Sequence, residues 1–471
     1  NNFQFYQDLL NLRFYQKAFF FLWVTASFST MTQHRNRNKN LGLVELIAIA
    51  LGGMVGGGIF TILGISVALI GYLTPIAIAV GGVIAGLAAY SYVKLGTYYK
   101  DEGATYSFFK RTYPGSNFSA SAIGWFIIFG YISTLALYAY TFSSYALSST
   151  DFSENIIMRK GVAIAVIGLF TLINVWSVNG MGKIEDLMVY TKLIVLSIIS
   201  FVLIYHGTTD VETFLKIMAL DAENANVFSI IIVASLTFVA YEGFQLVINA
   251  VNEMNQPDIN IPRAIYSAII LAVLIYLVIS MGALFAIPSE EIINNKEFAL
   301  AAGAESILGK IGANLVILGA ILATSSAISG TLFGSSRQMA VIAKDGYFPH
   351  ILSHRKNNIP KNAIIAMAII SSLLITIGGL QLILEFGSVT FLLVSFLMGI
   401  ANYKIRKETK SSTFITLLSI VGLGIGGILI LYYELTNNWE QMLAILVLYA
   451  FLGLGARKFA KRKAYYIKSL G

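Results

Sequence analysis

Long apolar segments recur along the whole chain, and they restrict its fold more than any other feature. Each is about 18–30 residues long, and a helix needs about 20 apolar residues to cross the core of a bilayer. Hydrophobic residues make up 57% of the chain and charged residues only 12%, and the alternating strands of an outer-membrane barrel are absent from the sequence. We therefore predict an all-α integral membrane protein with twelve transmembrane helices. The predicted spans are 43–70, 75–98, 118–147, 160–179, 185–206, 226–251, 263–287, 310–342, 362–379, 381–402, 412–433 and 440–457.

Positive charge is concentrated in the loops that these spans place on one side of the membrane. If both termini are cytoplasmic, all but six of the 32 Lys and Arg fall on the cytoplasmic side, as the positive-inside rule requires. Lys192 is the one predicted within a span. We therefore predict a multi-pass protein of the cytoplasmic membrane with both termini inside. The five cations predicted outside are Arg159, Lys160, Lys216, Lys296 and Lys310.

The two ends of the chain are interpreted separately. The net charge of +8 reflects the cytoplasmic loops and the basic tail 459–471, which we interpret as a topology signal in preference to an anionic-lipid site, and not as a nucleic-acid surface. In the N-terminal cytoplasmic segment 1–40, residues 1–30 lack the pattern of a signal peptide. We interpret Met31 as the functional start and leave 1–30 out of the mechanism.

Several classes of site are excluded by what the sequence lacks. There are no cysteines, so thiolate metal sites and disulfides are excluded. The four histidines form no metal-binding pattern, and no P-loop GxxxxGK[ST] is present, so this chain does not bind ATP in that way. We predict no cofactor or metal, and a membrane enzyme is the least favoured class because no nucleophile–base pair is visible.

The stretch "GGMVGGGIF", residues 52–60, interrupts the first span with glycines. Close packing of small residues accounts for Gly52 and Gly56, but each glycine in a helix interior costs about 1 kcal/mol relative to alanine. We therefore predict a broken helix whose free N–H groups at Gly56, Gly57 and Gly58 line a cavity. Free N–H groups at the start of a half-helix suit an anion such as a carboxylate.

A second interruption falls in the sixth span, where Ala240 to Gly243 break the apolar run with Glu242. Transporters built from inverted repeats carry one broken helix in each half. The spacing predicts a first repeat at 41–206, a second at 207–404 and two further helices at 405–458.

The order and spacing of several motifs resemble one transporter superfamily. They are "GGMVGGGIF", the loop "YVKLGTYYKDEGATYSFFKRTYPG", "FVAYEGF", "NEMNQPDINIPRAI" and "SRQMAVIAKDGYFPHIL". From about residue 42 to 352 the chain is similar to the amino acid–polyamine–organocation (APC) superfamily, especially its archaeal proton-coupled members. The resemblance implies a LeuT-type fold with a 5+5 inverted repeat, broken helices 1 and 6, and helices 11 and 12 outside the repeat.

The resemblance also implies a substrate site between the two breaks. Gly56, Gly57 and Gly58 would receive the carboxylate of an amino acid, and the carbonyls near Ala240 and Tyr241 its ammonium group, in agreement with half-helix polarity. Tyr241 could gate the site and Tyr131 could line it, although either ring could equally be core packing. Glu242 replaces an uncharged residue of the best-known relatives, and we leave three roles open: selection of an amine, proton cycling or structure.

Lys192, in "EDLMVYTKLIVLSIISF", is the other ionisable residue singled out. It could snorkel to the membrane surface, but the archaeal relatives carry a lysine at the matching place in helix 5. The resemblance implies that its amine faces Gly52 and Val55 of helix 1 and the hydroxyls of Ser325 and Ser326 in helix 8. Because burial favours a neutral amine, we predict that Lys192 carries the coupling proton and that sodium is unnecessary.

The function expected from these features is secondary active transport of amino acids, by proton symport and alternating access. The expected partners are a small-molecule amino acid, protons and the lipid bilayer, with no nucleic acid. The runner-up is an amino acid exchanger or a non-transporting sensor on the same fold, because a fold alone does not determine function. The sequence leaves the oligomeric state open.

Overall fold

The computed structural model describes residues 41–470 apart from 177, 208, 296, 357 and 358, and it describes side chains apart from those and 178–187, 308 and 466–470. The predicted segment 1–40, with Met31, lies outside the described residues. From Gly42 onward the chain forms one compact unit.

Helices account for nearly all of the described chain, and the first and sixth predicted spans are each divided. Helices of the first half are α1 (Leu43–Met54), α2 (Gly58–Ile70), α3 (Thr74–Tyr99), α4 (Ala104–Thr112), α5 (Asn117–Leu147), α6 (Ile156–Trp176), α7 (Val178–Tyr205) and α8 (Val211–Asn224). Those of the second half are α9 (Val227–Tyr241), α10 (Leu246–Asn249), α11 (Pro257–Ala286), α12 (Ser289–Asn294), α13 (Ala299–Lys344), α14 (Lys361–Ile377), α15 (Leu380–Lys404), α16 (Thr413–Asn437) and α17 (Trp439–Leu470).

The helices are those of an integral membrane protein. Within the described chain, ten helical segments are long and apolar enough to cross a bilayer, and α1 and α14 are shorter apolar helices. One of the ten runs through α2 and α3 together, from Gly58 to Tyr99. The all-α membrane class and the breaks in helices 1 and 6 are therefore confirmed, whereas the count of twelve and the repeat boundaries stay predictions.

Three predicted boundaries differ from the structure. The stretch 180–184 is predicted as a loop between two spans. In the structure it is helical and belongs to α7, which begins at Val178. The tail 459–471 continues α17 as helix to Leu470. The eighth predicted span, 310–342, is part of the longer α13, which bends at Gly309, where φ is 65° and only glycine adopts the angle readily.

The broken helices lie at the centre of the bundle, and α5 packs beside them. In the most apolar 18-residue stretch of α5, 89% is buried inside the protein. The corresponding stretch of α17 is only 17% buried, so most of its surface faces lipid. The pairs that pack around the breaks are α1 with α11 and α13, α2 with α9, and α5 with α13 and α15.

Candidate functional site

The first helix ends at Met54 and resumes at Gly58. Val55 has a non-helical ψ of 74°, and the carbonyl of Gly57 accepts the first bond of α2 from the N–H of Thr61 at 3.2 Å. A helix end leaves its last carbonyls and its first N–H groups without intrahelical partners. The interruption therefore leaves carbonyls at the end of α1 and N–H groups at the start of α2 without partners in their own helices. All of these groups are buried within the bundle.

Three side chains from other helices bind the carbonyls at the end of α1. Lys192 of α7 contacts the carbonyl of Gly52, with Nζ and O 3.1 Å apart. The hydroxyl of Tyr138 in α5 donates to Gly53 O at 3.1 Å, and that of Tyr276 in α11 lies 2.7 Å from Met54 O. Carbonyls at the end of α1 thus find polar partners on three neighbouring helices, as buried backbone groups require.

The Lys192 ammonium is fully buried. It connects α7 with α1 and α13, which correspond to the predicted transmembrane helices 5, 1 and 8. Its Nζ lies 2.7 Å from Val55 O and 2.8 Å from Ser326 Oγ, in addition to Gly52 O. Leu51 O is a further contact at 3.5 Å. Ser325 is buried in the same turn of α13, but these four contacts do not include it. Leu51 was not expected here.

The three glycines of the break are packed more closely than the sequence suggested. A Cβ atom on Gly56 would lie 2.7 Å from Cβ of Ala327, one on Gly57 would lie 2.9 Å from Thr141, and one on Gly58 would lie 2.8 Å from Cβ of Ala240. Each of the three glycines is therefore closely packed, against α13, α5 and α9 respectively. The view that packing accounts only for Gly52 and Gly56 is wrong.

Not every N–H group of the break is free. The N–H of Gly56 donates to Met54 O at 2.9 Å, so the expectation of a free donor at this residue is wrong. The N–H groups of Gly58 and the next two residues begin α2, where a helix offers donors without intrahelical acceptors. The anion-binding capacity predicted for the break therefore rests on Gly57, Gly58 and the first turn of α2.

The sixth helix breaks beside the first. Helix α9 ends at Tyr241, and Glu242 adopts an extended conformation. Gly243 has a φ of 129°, and a Cβ atom on it would lie 2.6 Å from the carbonyl carbon of Gly53. Glycine is therefore required at residue 243 both for its backbone angle and for the close approach of the two breaks.

A small buried cavity of about 10 Å³ lies next to both breaks. This space holds about one water molecule, so the structure represents a closed conformation without room for an amino acid. Tyr131 and Glu242 line the cavity, whereas Gly56, Gly57, Gly58 and Tyr241 do not. The lining residues are Gly53, Tyr131, Thr134, Tyr138, Glu242, Gly243, Leu246, Thr331 and Phe391.

The carboxyl group of Glu242 faces a short polar network in this cavity. One of its oxygens, Oε2, accepts a hydrogen bond from the amide of Gln245, which also lies 3.2 Å from the hydroxyl of Tyr131. The other oxygen, Oε1, is buried and has no hydrogen-bond partner among the described residues. A buried polar atom without a partner destabilises the closed state, and it leaves an acceptor available to a ligand.

The side chain of Tyr241 packs away from the cavity. Its hydroxyl donates to Ile78 O of α3 at 2.8 Å, and its ring lies 5.3 Å from that of Tyr276. The suggestion that Tyr241 gates the site is therefore not supported in this conformation. The carbonyl of Ala240, expected to bind an ammonium group, lies 2.8 Å from the hydroxyl of Tyr276.

Comparison with known proteins identifies the family of a chain with this arrangement. The model of the amino acid permease family matches residues 41–453, which include both breaks and Lys192. The chain belongs to the amino acid permease family. Members of this family are transporters and not enzymes, and the chain is accordingly a multi-pass membrane protein of amino acid transport.

Individual relatives of this permease agree with the family match. An uncharacterized protein of Methanocaldococcus jannaschii is 28% identical over 86% of the permease and 91% of its own length. The inner membrane transport protein YbaT of Escherichia coli is 28% identical over 83% of the permease and 91% of its own length. The branched-chain amino acid permease BcaP of Bacillus subtilis is 24% identical over 79% of the permease and 82% of its own length.

Four of the residues that sequence analysis missed make polar contacts or line the cavity in the site region. Tyr138 and Tyr276 bind carbonyls of the breaks, Gln245 binds Glu242, and Thr331 lines the cavity. A signal was available for Gln245, which lies three residues after Glu242. None was available for the two tyrosines, since the chain has 25 of them and their partners are backbone atoms of distant segments.

Proposed function

We propose that this permease is a secondary active transporter that moves amino acids across the cytoplasmic membrane together with protons. The observation that carries the proposal is the position of Lys192, whose buried ammonium contacts carbonyls of α1 and the hydroxyl of Ser326 in α13. An ammonium group has three N–H donors, and a neutral amine has fewer. Loss of its proton therefore weakens the connection between α1, α7 and α13.

This change connects protonation to movement. When Lys192 is charged, it holds α1 against α7 and α13; when it is neutral, α1 is released at its break. A coupling ion must favour one of two conformations to drive a cycle, and a proton on Lys192 favours the one in which these helices are together. A sodium ion is not needed in this scheme, because the ammonium supplies the positive charge facing the carbonyls.

The substrate binds at the two breaks in this proposal. The carboxylate meets the donors at the start of α2, near Gly57 and Gly58, and the ammonium meets the carbonyl end of α9 near Ala240. The side chain extends towards the cavity lined by Tyr131, Glu242 and Phe391. The names of relatives support an amino acid in this site. One of them is the large neutral amino acids transporter small subunit 2 of rat, which is 28% identical over 74% of this chain and 66% of its own length.

The size of the cavity supports alternating access as part of this proposal. Because the closed cavity has room for about one water molecule, an amino acid can reach the site only after helices around it move. We place both termini in the cytoplasm, in keeping with the positive-inside rule, so that α1 and α10 move at the inner side.

Uptake into sealed liposomes tests the proposal. We expect wild-type protein to accumulate a labelled amino acid when an inward proton gradient is imposed, with and without sodium, and Lys192→Ala to lose this accumulation. The matched control is Lys94→Ala, which removes a lysine that donates to Lys410 O at 3.0 Å, away from the breaks. A strict sodium requirement, or accumulation that persists in Lys192→Ala, would contradict the proposal. Counterflow without accumulation in the wild type would support an exchanger instead.

A further inference from the structure

The C-terminal helix α17 carries one exposed stripe that changes from apolar to basic along its length. Val447, Phe451 and Leu454 are exposed, with 61%, 58% and 68% of their surface accessible. Lys458 and Lys461 continue the same stripe and are also exposed. The alternating steps of four and three residues place all five on one face of a helix.

The change from apolar to basic occurs where a membrane ends. The 18 residues from Trp439 to Ala456 span about 27 Å as a helix, close to the thickness of a bilayer core of about 30 Å. Arg457 is the first charged residue after Glu440, and no Asp or Glu follows Glu440 in the sequence. The basic part of the stripe therefore lies at the level of the lipid headgroups.

The opposite face of the same helix is attached to the transporter core. Ala456 and Ala460 are buried, and Lys463 donates to Asp345 O, just beyond the end of α13, at 2.6 Å. The ring of Phe459 lies 5.9 Å from that of Trp125 in α5. The helix is thus held on one side by α5 and by the loop that follows α13, and its basic side faces outward.

We propose that this stripe is a binding site for an anionic phospholipid. The sequence alone favours a topology signal for the basic tail, and the continuous exposed stripe is the observation that favours a lipid site. One acyl chain lies along Val447, Phe451 and Leu454, and the phosphate is bound by Lys458 and Lys461, with Arg457 and Arg462 on either side of them. A lipid fits better than a soluble polyanion because the basic residues continue an apolar face that only acyl chains can cover. Each Lys or Arg near a membrane surface adds to the attraction of anionic lipid.

The bound lipid stabilises the part of the core that α17 contacts. Helix α5 provides Tyr131 to the cavity and packs against α17. Helix α13 provides Thr331 and leads directly into Asp345, whose carbonyl binds Lys463 of α17. The proposal therefore predicts that anionic lipid raises the thermal stability of the whole protein by mass action.

Thermal unfolding of the purified, full-length protein in detergent tests this proposal, with phosphatidylglycerol, phosphatidylcholine or inorganic phosphate added. We expect phosphatidylglycerol to raise the Tm of the wild type by about 2–5 °C, and the effect to fall as salt is added. The variant in which Arg457, Lys458, Lys461 and Arg462 are all replaced by Gln should lose the shift. The control replaces Arg355, Lys356, Lys407 and Lys410 by Gln, which removes the same charge elsewhere, and should keep it.

Several results would overturn the proposal. They are an equal shift with phosphatidylglycerol in the wild type and the fourfold variant, and an equal shift of the wild type with phosphatidylcholine or with inorganic phosphate. Polyglutamate is added in a further sample, and an equal shift with it would indicate an acidic protein partner. If the fourfold variant does not fold, the double variant Lys458→Gln/Lys461→Gln replaces it. We expect the double variant to keep less than half of the shift, and a full shift would contradict the site.

Discussion

The hydroxyl of Tyr276 has one proton and two carbonyl neighbours. Its oxygen lies 2.7 Å from Met54 O at the first break and 2.8 Å from Ala240 O at the second. A hydroxyl donates a single hydrogen bond at full strength, so Tyr276 serves one of the two carbonyls at a time, and Met54 O also accepts from the N–H of Gly56 at 2.9 Å. This side chain connects the two half-helices directly, and when it donates to Met54 O, the carbonyl of Ala240 is open to another donor such as an ammonium group.

Replacing Tyr276 with Phe should therefore weaken the contact between the breaks. We expect Tyr276→Phe to lower the Tm and to slow net uptake about five- to tenfold, because two buried carbonyls lose their shared donor. The measurements are thermal unfolding and liposome uptake. Tyr145→Phe is the matched control, since it removes a buried hydroxyl that donates only to Phe60 O at 3.4 Å. Equal effects of the two substitutions would contradict a special role for Tyr276.

Glu242 is the acidic residue among the described side chains that line the cavity. We expect Glu242→Gln to reduce uptake about tenfold, the equivalent of about 1.4 kcal/mol, because it replaces the carboxyl group by a neutral amide that carries one acceptor oxygen in place of two. Uptake is measured at several pH values and with neutral and basic amino acids. Glu440→Gln, an exposed carboxyl on α17, serves as the control. If uptake of every substrate and its pH dependence are unchanged, Glu242 is structural.

At the scale of elements, the two breaks were predictable and their partners were not. Runs of glycine at residues 56–58, and the charge of Glu242 inside an apolar run, leave local signals in the sequence. Lys192 was found because a lone charge in a membrane span needs a partner, together with the resemblance to a known superfamily. The tyrosines that bind the carbonyls leave no such signal, because a backbone acceptor has no sequence signature.

Helix boundaries show the same limit. Residues 180–184 contain two glycines and a lysine and precede an acidic pair, which locally favours a loop, yet α7 includes them. Local preference is a weak guide when tertiary packing stabilises a helix. The apolar segments were recognisable from their length and composition, whereas their ends depend on contacts that a single sequence does not contain.

Close approach of the two breaks gives a prediction for Gly243. We expect Gly243→Ala to lower the stability by about 1–3 kcal/mol, because a side chain is strained at a φ of 129° and its Cβ would lie 2.6 Å from Gly53. The Tm in detergent measures the effect. Gly86→Ala in α3 is the control, since nothing lies within 4 Å of its added Cβ. A smaller loss at Gly243 than at Gly86 would contradict the close contact.

The whole molecule is closed around its site in this conformation. The cavity between the breaks is too small for an amino acid, and the residues that line it come from α1, α5, α10, α13 and α15 as well as from the second break. In the proposed transport cycle these helices separate on one side at a time. Sequence analysis predicted such a cycle only through the resemblance to known transporters, because composition and spacing describe one set of helices and not their alternative arrangements.

Labelling of single cysteines measures this movement directly, and the natural chain has no cysteine to remove. Thr331 lines the cavity and is only 5% exposed, so we expect Thr331→Cys to react slowly with a membrane-impermeant maleimide when the protein is closed. Addition of substrate with a proton gradient should accelerate the reaction about tenfold, because the cycle opens the cavity to solvent. Ser149→Cys and Lys356→Cys, exposed in loops predicted outside and inside, report which side the reagent reaches. Labelling of Thr331→Cys that is insensitive to both substrate and proton gradient would contradict alternating access, and reversed labelling of the two loop residues would contradict the predicted orientation.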